Sequence, residues 1–264
     1  YLGAGDLPRA QEQAAAALAR EPGHPGGRLL AAAAAAAGGR GEEAAQELDR
    51  LVAERVSLPA AYALRAELLQ ARGAAAEALA TLVAGIRRLP HAVSLHLMLG
   101  RLLADDGRFQ AAAAVMGKVS AMDPERLEHR LALAGLLRLA GQGAEADVVV
   151  DELVAARAGE PEAVRAIARH CAAEGLAQRA MGVLRVGLEA APGHPGLAAD
   201  LAALTRETEA AVPSALRPPG HAPAALLIFH DPDRHGRLDP YVVAEMFGLT
   251  PAEARVAVRL ARGQ

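Results

Sequence analysis

One spacing constrains this chain more than any other feature. A Gly followed five residues later by Ala occurs at Gly5/Ala10, Gly39/Ala44, Gly73/Ala78, Gly107/Ala112, Gly141/Ala146 and Gly175/Ala180. Each interval between these glycines is 34 residues. A fixed period of that length is the size of a helix–turn–helix unit, which buries its apolar face by stacking on copies of itself. The register therefore predicts an all-α chain, an α-α superhelix of antiparallel helix pairs, with each Gly at the turn inside a pair.

The copy from Ser94 to Pro124 shows the physics of the unit. Leu95, Leu97, Met98, Leu99, Leu102 and Leu103 recur at helical spacing up to Asp105-Asp106-Gly107. A second helical run carries Phe109, Ala112, Val115, Met116 and Val119, and stops at Asp123-Pro124. Gly107 fits a left-handed helix stop, a conformation that costs other residues steric strain. Ala112 lies one turn into the second helix, where a small side chain lets the two helices approach and a Leu would overpack the contact. Pro124 cannot continue a helix, and Pro22, Pro90 and Pro192 stand in the same register.

On these residues the chain resembles the tetratricopeptide repeat (TPR) family over about residues 1–210. The turn Gly, the Ala after it, and a small residue seven before it (Ala32, Ala66, Gly100, Ala134, Ala168) carry the resemblance. Phe109, two residues past Gly107, also matches. The sequence departs from the family in its scarcity of large aromatics, with Tyr62 the main exception. Val56 and Ala158 replace the closing Pro, and Ala31–Ala37 is nearly featureless. The resemblance implies a helical solenoid that binds a peptide or partner protein along its inner groove.

Composition agrees with such an array. Apolar residues are 52% of the 264, but much of that is Ala, and aromatics are only 2%. Leu and Val are expected to form the core, with Ala at close helix contacts. The formal charge of −3 gives no general attraction to nucleic acid. Cys171 is the only cysteine, so no internal disulfide can form, and its register places it in the core. No segment reaches the ~18 apolar residues of a membrane span, so no membrane partner and a cytoplasmic location are expected. The chain opens at Tyr1 inside what reads as a first helix, and further sequence is expected on that side.

The repeat register ends after Gly175. Residues 1–211 read as the repeat array, closed by a capping helix after His194-Pro195 with Leu197, Leu201 and Leu204 on its inner side. Residues 212–223 read as a Pro-rich linker, and residues 224–264 as a separate piece. There Ala224–Phe229 reads as a strand, Asp239-Pro240 opens a helix to about Phe247, and Thr250-Pro251-Ala252-Glu253 opens another. About residues 223–264 resemble the start of the C-terminal helix-turn-helix region of LuxR-type transcription regulators, through Phe247-Gly248-Leu249-Thr250-Pro251-Ala252-Glu253-Ala254-Arg255 and Leu260-Ala261-Arg262-Gly263. That resemblance implies a short, truncated strand-helix-helix piece. DNA would be a partner only if the chain extended past Gln264, because the recognition helix of that family would lie there.

Candidate chemistry is sparse. His230-Asp231-Pro232-Asp233-Arg234-His235-Gly236 begins like a calcium loop, but the position that should hold its bidentate Glu is Val242. A polar turn is the better reading. His24, His91, His96, His129, His170, His194 and His221 are scattered, several beside inter-repeat turns where exposure is expected. No nucleophile–base pair, phosphate loop or metal-ligand spacing is present, so no catalytic residue, metal or cofactor is assigned and the chain is not expected to be an enzyme. The inner groove is the remaining candidate. Register places Glu67, Gln70, Arg101, Asp105, Glu128, Arg138, Glu162, Arg165 and Arg169 on it. Its arginines suit an extended acidic peptide, with Arg138 and Arg169 foremost; the same residues also suit an ordinary solvated face. The Asn-lined clamp with which some members of the family hold a C-terminal carboxylate is excluded, since the chain has no Asn. A protein-binding scaffold is the expected function. The alternative is a TPR-containing LuxR-type regulator.

Overall fold

The structure, a computed structural model, describes residues 7–211. These residues form twelve α-helices and no strand. The helices are α1 (Leu7–Arg20), α2 (Pro25–Ala37), α3 (Gly41–Ala53), α4 (Pro59–Ala71), α5 (Ala75–Arg88) and α6 (Val93–Asp105). They continue as α7 (Phe109–Met122), α8 (Leu127–Leu139), α9 (Gly143–Arg157), α10 (Pro161–Ala173), α11 (Ala177–Ala190) and α12 (Pro195–Ala211). Each even-numbered helix from α2 to α10 is the first of a pair with the odd-numbered helix after it. First helices of neighbouring pairs also meet, as α2 does with α4, α4 with α6, and α8 with α10.

The turn inside each pair is the same at every copy. Gly107 has φ +72°, and Gly39, Gly73, Gly141 and Gly175 lie within the same left-handed well. At Gly107 the peptide N–H donates to Ala104 C=O at 2.9 Å, and the N–H of Arg108 donates to Leu103 C=O at 2.9 Å. This pair of bonds closes a Schellman stop, which satisfies two carbonyls the helix would otherwise leave bare. Arg40, Ala74, Gln142 and Leu176 repeat the second bond. Gly5 lies outside the described residues.

Where the closing Pro is missing, the chain improvises. Val56 replaces it between α3 and α4, and there Arg55 adopts φ +55° while Val56 N–H donates to Leu51 C=O at 3.3 Å. A second left-handed position appears at Gly193 (φ +81°), between α11 and α12. Neither was expected from the 34-residue register.

The small-residue rows lie where helices touch. Ala44, Ala78, Ala112, Ala146 and Ala180 are fully buried, and Ala10 nearly so. Ala32, Ala66, Ala134 and Ala168 are buried on the first helices, with Gly100 taking the same slot. The core runs in three segments. One centres on Leu48 and Leu51, one on Tyr62, Leu82, Leu95 and Leu103, and one on Val150, Val164, Ile167, Leu184 and Leu197. Helix α2 carries Ala34 and Ala35 where α4, α6 and α8 carry Leu68/Leu69, Leu102/Leu103 and Leu136/Leu137. The missing volume leaves an open cleft of about 640 Å³ bounded by α1, α2 and α3.

The described residues up to Thr208 belong to one compact unit. The strand over Ala224–Phe229, the two helices after it and the His230–Gly236 cluster lie outside the described residues. Leu197 of α12 is fully buried against the last core segment, with Leu201 and Leu204 packed beside it, so the inner side expected of that helix is the buried one.

Candidate protein-interaction face

All nine groove residues fall on first helices. Glu67 and Gln70 are on α4, Arg101 and Asp105 on α6, Glu128 and Arg138 on α8, and Glu162, Arg165 and Arg169 on α10. Exposure separates them. Arg101, Asp105, Glu128, Glu162 and Arg169 are exposed, whereas Glu67, Gln70, Arg138 and Arg165 are half-buried.

The two half-buried arginines are engaged within the protein. Arg138 Nε donates to Glu174 Oε2 at 2.9 Å, and a terminal nitrogen donates to Asp147 Oδ1 at 2.8 Å. Those bonds, the one to Asp147 foremost, hold its guanidinium above its ordinary pKa. Gly135 makes the arrangement possible, because a Cβ there would sit 3.0 Å from Glu174 Oε1 and 3.4 Å from the His170 ring. Arg165 Nε donates to Asp200 at 2.7 Å, and its terminal nitrogen to Glu162 at 3.0 Å. The Asp200 bond leads in raising its pKa. Arg138 and Arg165 therefore tie α8 to α10 and α10 to α12.

The same device recurs across other junctions. Arg72 on the α4–α5 turn donates to Glu42 at 2.7 Å, Arg157 of α9 to Glu125 at 2.9 Å, and Arg179 of α11 to Asp151 at 2.8 Å. Within pairs, Arg28 spans Glu47 and Glu54, and Arg130 reaches Glu152. Arg28 and Arg130 occupy the slot that holds Tyr62 in the second pair. In a chain this poor in aromatics, the guanidinium plane with its carboxylate partner fills that slot. The sequence carried a signal for the longer links: Gln70/Asp105, Arg138/Glu174 and Arg165/Asp200 are each about one period apart.

Of the remaining groove charges, Glu162 is held by Arg165 and the others are largely uncommitted. Among the described residues Glu67, Arg101 and Glu128 have no hydrogen-bond or ion-pair partner. Arg169 donates only to the Arg165 carbonyl of its own helix, at 3.3 Å. Asp105 accepts from Gln70 at 3.5 Å, a weak contact. Beside these charges Leu139 of α8 is 62% exposed, the largest value among the exposed large apolar residues.

The histidines correct one expectation. His96 and His129 are buried, not exposed, because they stand on core-facing sides of α6 and α8. His96 Nδ1 lies 3.1 Å from the Ala92 carbonyl one turn back. His24 and His194 take another role: each Nδ1 accepts the peptide N–H three residues on, capping α2 and α12. Cys171 is buried against Ile167 and Leu184, and burial pushes its thiol above the usual range. Among the described residues no group of three His, Cys, Asp or Glu could hold a metal ion, and no helix is long and apolar enough to cross a membrane.

The family model for the tetratricopeptide repeat matches residues 1–68 and 103–169, just over half of the chain. The chain belongs to the tetratricopeptide repeat family. Among solved structures it is similar to YrrB, described as a TPR protein with an unusual peptide-binding site. Identity is 16% and the TM-score 0.49, over 74% of this chain and 97% of that one. It is also similar to TTC0263, a thermophilic TPR protein of Thermus thermophilus, with 20% identity and a TM-score of 0.41 over 69% and 99%. A complex of Naa15/Naa10 bound to HypK is matched at 15% identity and a TM-score of 0.47, over 78% of this chain and 32% of that one. No curated protein matches the chain.

Proposed function

We propose that the inner face formed by α4, α6, α8 and α10 binds a peptide or an extended segment of a partner protein and performs no chemistry on it. Membership of the TPR family supports a role in protein–protein interaction. The observation that carries the finer reading is the contrast between spent and unspent charge. Glu67, Arg101, Glu128 and Arg169 stand on four successive first helices without a side-chain partner, while Arg138 and Arg165 beside them are each held by two carboxylates. Charges left unpaired on a face otherwise cross-linked by ion pairs are available to a ligand without first breaking an internal bond.

The test is selection of a random peptide library on the immobilised full chain, followed by re-selection on the Glu67→Ala and Arg101→Ala variants. Enriched peptides that lose binding to those variants are the expected result. A library that enriches nothing, or hits indifferent to both changes, would remove the inner face from consideration. The LuxR-type alternative rests on residues 223–264, outside the described residues, and nothing in residues 7–211 favours it.

A further inference from the structure

Charge and apolar exposure are not spread evenly along this face, and their placement points to one kind of ligand. Arg101 on α6 and Arg169 on α10 occupy the same register position, two units apart. Both are exposed, and neither has a carboxylate partner among the described residues. The helix between them, α8, has no charge at that position, where Gly135 stands. One turn further on it presents Leu139, 62% exposed. Two free guanidinium groups thus lie on either side of one exposed Leu, whose register position on α6 is held by the exposed Asp105.

Helix α8 packs on both neighbours: Leu136 joins the core segment of Leu99, Leu102 and Leu103, and Gly135 lies against His170 and Glu174. Two helix-to-helix steps of about 8–10 Å put the two guanidinium rows roughly 16–20 Å apart. An extended chain advances about 3.3 Å per residue, so about five or six residues span that distance. We propose that α6, α8 and α10 select an extended segment carrying two carboxylate side chains six residues apart, with a large apolar residue between them at an even spacing from both, so that all three side chains face the array. This rests on the inner-face reading given above and narrows it to a ligand chemistry. Arg138 and Arg165 take no part as recognition groups, because Glu174, Asp147, Asp200 and Glu162 already neutralise them. They hold the helices that carry the free arginines. Exposed acidic residues shape the ligand too: Glu128, near the start of α8, disfavours a third carboxylate placed toward that end.

The experiment uses the full chain and a fluorescein-labelled peptide with Asp at positions i and i+6, Leu at i+2, and Gly and Ser elsewhere, which puts the three side chains on one face of an extended strand. Fluorescence anisotropy is read at low and physiological salt. The expected result is binding that weakens with salt, and that falls about two- to five-fold for each of Arg101→Ser and Arg169→Ser, as befits exposed ion pairs. Leu139→Ser weakens binding without changing the salt dependence. Peptides with either Asp changed to Asn, or with the two Asp residues moved to i and i+3, bind more weakly than the parent. All three protein variants alter exposed side chains, so unchanged circular dichroism verifies that the fold survives. Equal binding of the parent and Asn peptides, indifference to the arginine changes, or no binding of the parent would each overturn the proposal. The random-library selection separates the two readings. Enriched peptides of basic or uncharged character sink this motif and leave the inner face standing, whereas a library that enriches nothing sinks both.

Discussion

Two glycines on one helix test whether packing or propensity decides stability in this array. Gly182 and Gly187 both lie inside α11, and a Gly→Ala change in a helix interior stabilises by about 0.5–1 kcal/mol through lost chain entropy. At Gly182 a new Cβ would meet no atom within 4 Å, so that gain should appear in full. At Gly187 the new Cβ would lie 2.6 Å from Val164 Cγ1 and 3.3 Å from Leu197 Cδ1. Both neighbours are fully buried, and a β-branched Val cannot swing its methyl away within one rotamer. Overpacking of this kind costs about 1–3 kcal/mol. The propensity terms cancel between the two variants, so their difference isolates the packing cost. Gly182→Ala should raise stability by about 0.5–1 kcal/mol and Gly187→Ala should lower it by about 0.5–2 kcal/mol. Urea unfolding followed by far-UV circular dichroism and by calorimetry reads both, with agreement of the two probes checking that the array unfolds cooperatively enough for the comparison. Gly85, in the same register as Gly187 and with a Cβ position 2.8 Å from Tyr62 Cγ, should behave like Gly187. Finding Gly187→Ala as stable as the parent, or both α11 variants shifted alike, would refute the account of close helix contact.

Three further outcomes follow from the geometry. Gly107→Ala meets no steric neighbour but must hold φ near +72°, so it should destabilise by about 1–2 kcal/mol, with Gly107→Asn costing less, measured by the same urea titration. Arg138→Met removes both bonds of a half-buried guanidinium and leaves Glu174, whose side chain is 17% exposed, with only His170 Nε2 beside its carboxylate, at 3.3 Å; a loss of about 1–3 kcal/mol is expected, and an unchanged unfolding midpoint would show the link to be ornamental. Cys171, buried and with its thiol raised, should resist an aromatic disulfide reagent in the folded chain and react only at the rate of unfolding, which stopped-flow absorbance can follow.

The helical frame was legible because it depends on residues whose job is local. Gly107 stops a helix by its own conformation, and Ala112 permits approach by its own size, so a single spacing reports both. The passages between units were less legible. Closing an α3-type helix without Pro needs only one residue to tolerate φ +55°, and Arg55 has no side-chain feature that announces it. His96 and His129 misled for a related reason. Their neighbours in sequence are turn residues, but burial depends on the side of the helix they occupy, and both stand on the core side of α6 and α8.

The inner face was half legible, and the missing half changes its meaning. Register alone places Arg101, Arg138, Arg165 and Arg169 on first helices and presents them as one basic row. The one-period spacing of Arg138/Glu174 and Arg165/Asp200 hints at two of the partners, but which carboxylates reach which guanidinium, Asp147 included, is set by packing. Once those carboxylates are in place, the row divides into arginines that hold the array together and arginines that face outward without a counter-ion. The division follows burial: the engaged guanidinium groups are 24% and 28% exposed, and a charge that far from water needs a partner, whereas an exposed one does not. In a chain with few aromatics to lock its helices together, ion pairs about one repeat apart supply cohesion. On the function proposed above, charge does two jobs on one surface, and recognition falls to the arginines that cohesion leaves over.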